Sequence, residues 1–79
     1  MDKKFTKRTL EVIVQRFNRQ YPSTPVTLTA HDNGENFTIQ SHQQWLSGVM
    51  VQDVASAAAL LNLSFGVYAN ELGLYIIIS

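Results

Sequence analysis

The side chains that could do chemistry here are few, and they do not converge in sequence. His31 lies beside Asp32, and His42 stands apart from any carboxylate. A metal site needs several ligands at recognisable spacing. Two histidines without a cysteine, among the scattered carboxylates Asp2, Glu11, Asp32, Glu35, Asp53 and Glu71, do not provide it. Asp32-Asn33-Gly34-Glu35 lacks the alternating ligand positions of a calcium loop. There is no thiol nucleophile, and no serine has a visible base and orienting acid. These residues read as solvated turn positions. The expectation is a protein without catalytic residues, metal or cofactor.

The cations are the most unevenly placed group. Lys3, Lys4, Lys7, Arg8, Arg16 and Arg19 all fall within the first nineteen positions. With Asp2 and Glu11, residues 1–20 carry a net +4; residues 21–79 hold four carboxylates and no cation, a net −4. On a helical wheel Lys4, Arg8, Arg16 and Arg19 spread over the face opposite Leu10, Ile13 and Phe17, interrupted by Glu11 and Val12. Such a face suits phosphates or an acidic protein. The plainer reading is a solvated helix face, with Glu11 paired to Lys7 or Arg8. Nucleic acid is disfavoured as the partner. The rest of the chain is acidic, and the pI of 6.7 lies well below the value of about 9 common to such domains.

The elements that position these residues follow from periodicity. Leu10, Ile13, Val14, Phe17 and Tyr21 mark one helix face, with Thr6 as N-cap and Pro22 as stop. Val26–His31 alternates as a strand, Asn33-Gly34 suits a two-residue type I′ turn, and Asn36–Ser41 is the return strand. With Asn33-Gly34 as the loop, Ala30 faces Phe37, Leu28 faces Ile39 and Val26 faces Ser41. All the apolar side chains then share one face. Residues 41–48 carry no legible pattern, and Trp45 within them is expected to seal the core against the helix that follows. Met50, Val51, Val54, Ala57, Ala58 and Leu61 mark that second, Ala-rich helix, which Asn62 ends.

The tail forms a second hairpin. Ala69 faces Leu74, Val67 faces Ile76 and Phe65 faces Ile78 on the inner side. Tyr68 then faces Tyr75, and Gly66 faces Ile77, on the outer side. A cross-strand tyrosine pair contributes roughly 0.2–1 kcal/mol. Exposed beside Ile77, with Gly66 opening space, it becomes a candidate protein interface of Tyr68, Tyr75 and Ile77. Aromatic stacking on bases wants cations on the same face, and every cation belongs to the first helix. The last strand, Leu74–Ile78, has no charge or proline, so at a sheet edge it would recruit a partner strand. Strand order is not fixed by the pattern.

The expected fold is a single α+β domain over residues 1–79, in α-β-β-α-β-β order. One four-stranded antiparallel sheet carries both helices on one face. Charged residues make up 15% of the chain, against about 25% usually. A lightly charged surface favours self-association. Residues 54–69 lack charge but are too short to span a bilayer and end in strand-like alternation. No membrane partner is expected, and the setting is taken as cytoplasmic. The leading functional expectation is a non-catalytic protein–protein interaction module, dimeric or docked on a larger target as a regulator or inhibitor. It would act through the outer sheet face or the C-terminal strand. The alternative is a nucleic-acid-associated protein that binds phosphates through Lys4, Arg8, Arg16 and Arg19.

Overall fold

Leu10, Ile13, Val14 and Phe17 recur at helical period, and helix α1 (Lys3–Gln20) buries all four. The computed structural model describes residues 3–79, apart from the side chains of Lys3, Lys4 and Asn33. Thr6 is not the N-cap that the pattern suggested: α1 begins at Lys3, and Thr6 is buried inside it. The reason is spacing. Thr6 stands four, seven and eleven positions before Leu10, Ile13 and Phe17, so it continues the core stripe. The last helical bond runs from the Tyr21 N–H to the Phe17 carbonyl at 2.8 Å. Pro22 then lacks the N–H needed to go on.

Strands β1 (Val26–His31) and β2 (Asn36–Ser41) pair antiparallel in the expected register, from Val26 opposite Ser41 to His31 opposite Asn36. The turn between them differs. Asp32–Gly34 forms one 3₁₀ turn, with the Glu35 N–H bonded to the His31 and Asp32 carbonyls. Asp32 takes φ +52° and Gly34 φ +86°, and the Asn36 amide donates to the Asp32 carboxylate. That side-chain bond favours a four-residue loop over the tighter one, and the register survives because the two loops differ by a single pair.

Helix α2 (Gly48–Leu60) buries Met50, Val54, Ala57 and Ala58, with Leu61 just beyond. Asn62 stops it in left-handed conformation at φ +58°. The Leu63 N–H reaches back to the Ala58 carbonyl at 2.8 Å and the Asn62 N–H to that of Ala59 at 3.2 Å. This is a Schellman motif with asparagine in the usual glycine position.

Strands β3 (Phe65–Ala69) and β4 (Leu74–Ile78) pair as the alternation required, with Tyr68 opposite Tyr75 and Gly66 opposite Ile77. The sheet order is β1-β2-β4-β3, so the last strand lies inside it, between β2 and β3. The C-terminal strand therefore offers no free edge. Both of its sides are already bonded, and the edges belong to β1 and β3.

The core joins α1 and α2 to Val26, Phe37, Ile39, Ile76 and Ile78 on one sheet face. On β3 the expected inner face is only half realised. Phe65 and Val67 share the side of Ile78 and Ile76, yet they remain 41% and 43% exposed, and Ala69 is exposed as well. Strand β3 lies at the margin, and α2 meets it carrying Ala55, Ala57, Ala58 and Ala59, whose short side chains cover little of a neighbouring strand. The radius of gyration, 11.6 Å, is that of a compact single domain of this length. No described helix is long and apolar enough to cross a membrane.

Candidate functional site

The sheet face away from the helices is built in two cross-strand rows. Register places Thr27, Gln40, Tyr75 and Tyr68 in one row, and Thr29, Thr38, Ile77 and Gly66 in the next. The β1–β2 half is polar, and the β4–β3 half is aromatic and apolar. The expected pairs Tyr68–Tyr75 and Gly66–Ile77 thus share this face.

The tyrosines are closely packed. The rings of Tyr68 and Tyr75 lie 5.6 Å apart, tilted by 31°. Tyr68 is 51% exposed and Ile77 is also exposed, while Tyr75 is half-buried beneath them. Gly66 does not leave open space as its size suggested. A Cβ built there would stand 2.6 Å from the Tyr68 hydroxyl oxygen and 2.8 Å from two ring carbons. The Tyr68 ring therefore lies back along its own strand over Gly66, which holds it flat against the sheet and against Tyr75. A flat, half-exposed aromatic beside an exposed isoleucine loses little side-chain entropy on being covered.

The polar half is tied down by side-chain bonds. Gln40 and Asn70 pair their amides reciprocally, at 2.8 Å and 3.2 Å. Asn70 Oδ1 also accepts from the Leu72 and Gly73 backbone N–H groups at 3.0 Å and 3.1 Å, fixing the β3–β4 turn. His31 Nε2 and Thr38 Oγ1 hydrogen-bond at 3.0 Å, so this ring is engaged on the sheet rather than in a ligand cluster. Among the described residues no three histidine or carboxylate groups gather where they could hold a metal ion.

The cations of the basic helix are spread along α1. Arg16 turns to α2 and pairs with Asp53 at 3.6 Å. Arg8 and Arg19 are exposed, but eleven residues of helix set them roughly 16 Å apart along the axis. Exposed Val12 lies between them. The side chain of Lys4 falls outside the described residues.

Trp45 closes over the end of α1. Its ring lies 5.3 Å from that of Tyr21 and 6.0 Å from that of Phe17. The segment before α2 is held over the β4 end, where the Leu74 N–H bonds the Gln43 carbonyl at 3.0 Å.

Two apolar features escaped the sequence reading. A groove of about 300 Å³ runs between α1 and α2, lined by Phe5, Thr9, Ile13, Arg16, Asp53 and Leu60 among others. Leu60 is 83% exposed there. The other is the exposed Phe65 and Val67 on the β3 margin. Leu60 carried a signal, since it is a large apolar residue off the stripe of Val54, Ala57 and Leu61. Phe65 and Val67 carried none, because only the placement of α2 decides whether they are covered. Compared with protein-family models, curated proteins and solved structures, the chain matches none of them.

Proposed function

We propose that this chain is a non-catalytic protein–protein interaction module whose contact surface is the aromatic half of the outer sheet face. Its anchors are Tyr68, Tyr75 and Ile77. The carrying observation is the packed pair: Tyr68 lies over Gly66 and against Tyr75, half-exposed, on the sheet side that neither helix occupies. Preformed aromatic anchors ringed by polar groups have the makeup of an interface centre and its rim. Gln40, Thr38 and the Asn70 amide supply the rim. The surface seats on a larger protein, and a domain this small acts there by occupying a site, as a regulator or inhibitor does. The lack of cysteine suits a reducing, cytoplasmic setting.

The test is capture of a binding protein by the wild-type chain, repeated with Tyr75→Glu and with Thr29→Glu. Tyr75→Glu should weaken binding at least about tenfold, as loss of a central anchor does, while Thr29→Glu should leave it nearly unchanged. Raising the salt should matter little. Binding that survives Tyr75→Glu but collapses in high salt, or with Arg8→Gln and Arg19→Gln together, would replace this reading with phosphate or nucleic-acid binding by α1.

A further inference from the structure

The two edges of the sheet are finished differently. At the β1 edge, Asn18 of α1 accepts from the Val26 N–H at 2.8 Å and donates to its carbonyl at 3.0 Å, just after Pro25. At the β3 edge no described residue does the same. Ser64 and Ser79 exchange both backbone bonds, at 2.7 Å and 3.0 Å, and the Asn70 N–H reaches the Gly73 carbonyl at 2.9 Å. Antiparallel alternation then turns the backbone groups of Gly66 and Tyr68 toward β4, and those of Phe65, Val67 and Ala69 outward. The residues with outward backbone groups are the same ones whose apolar side chains stay exposed on the helix side. Residues 64–70 contain no charge and no proline, the usual guards of an edge.

We propose that β3 pairs antiparallel with β3 of a second copy of this chain, with Val67 on the two-fold axis. The two sheets then become one of eight strands. This register engages all three outward residues of each strand, giving six backbone hydrogen bonds; a slip of two residues either way loses some of them. It is self-complementary in size: Phe65 falls beside Ala69 of the second copy, and Tyr68 beside Gly66. It is also free of charge conflict, since Glu71, the nearest charge, falls opposite Leu63 and not opposite its twin. Phe65 and Val67 of both copies line the floor between two Ala-rich α2 helices. A contact of one five-residue strand from each copy belongs with the small, transient class of interfaces. The dimer therefore exchanges with monomer as the chain is diluted. The seam shares Tyr68 with the outer-face anchors, whereas Tyr75 and Ile77 lie on β4 away from it, and the pairing would bring the anchors of both copies into one platform.

The test is solution mass by light scattering across a dilution series, with variants. The wild type should approach twice the 8.9 kDa of one chain at high concentration. Val67→Lys sets two like charges on the axis and should weaken association at least about tenfold, with circular dichroism confirming that it folds. Tyr75→Glu should leave the dimer intact, so loss of outer-face binding and loss of the dimer are told apart. Single-cysteine variants check the register without relying on Val67→Lys. Val67→Cys should cross-link quickly, its two Cα atoms lying about 5.5 Å apart. Ala69→Cys should not, its copies lying about 13 Å apart along the strands. A monomer at millimolar concentration, a dimer untouched by Val67→Lys, a dimer dissolved by Tyr75→Glu, or equal cross-linking of both cysteines would each overturn the proposal.

Discussion

Gly73 and Gly66 both sit on the β3–β4 hairpin, and what surrounds each gives opposite expectations. Gly73 has φ +152°, and a Cβ there would press on backbone: the Gln43 carbonyl and N–H and the Ser41 carbonyl. Backbone cannot step aside. Gly73→Ala should cost at least about 2 kcal/mol in chemical denaturation. At Gly66 the obstacle is the ring of an exposed Tyr68, which can swing away. Gly66→Ala should change stability by less than about 1 kcal/mol, because lost ring packing is offset by the better strand propensity of alanine. It should nevertheless lift Tyr68 off the sheet, visible as lost NMR contacts between its ring and residue 66, and weaken binding through that face. A large stability loss for Gly66→Ala would mean that the ring is structural cover and not a presented anchor.

At the scale of elements, α2 ends on Asn62, one of the few non-glycine residues that tolerate the left-handed turn. Asn62→Gly should be neutral or slightly stabilising, and Asn62→Val should cost about 1–2 kcal/mol, a drop of roughly 4–15 °C in Tm for a domain of this size. Equal melting of all three chains would contradict the Schellman geometry. The same element shows where the sequence was legible. The end of α2, both hairpin registers and the composition of each sheet face follow from alternation and turn residues, which act locally. The 3₁₀ turn at Asp32–Gly34 was missed because the Asp32–Asn36 side-chain bond competes with the tighter loop. The central position of β4 was not called for by any local rule, although Tyr75-Ile76-Ile77-Ile78 is apolar on both faces, as an interior strand tends to be. Trp45 sits in a stretch without period, so nothing announced that it would pack on Phe17 and Tyr21. The exposure of Phe65 and Val67 depends on how far a helix of alanines reaches, a property of packing and not of pattern.

For the molecule as a whole, the proposed function rests on a division of the sheet and not on the charge asymmetry that dominates the sequence. Arg16 pairs with Asp53 of α2 at 3.6 Å, and Arg8 and Arg19 stand roughly 16 Å apart along α1. The division on which the proposal rests runs across the sheet. The β1–β2 half is polar outside, with Asn18 capping the start of its edge at Val26; the β4–β3 half is aromatic outside and has no such cap on its edge among the described residues. The central claim is that the aromatic half of the outer face is covered by another protein. Its most direct test is a photo-crosslinking amino acid placed at position 68 in living cells, with the same residue at position 29 of the polar half as control. Discrete protein adducts from position 68 and few from position 29 are the predicted result. Adducts of equal strength from both positions, or none from position 68, would contradict it.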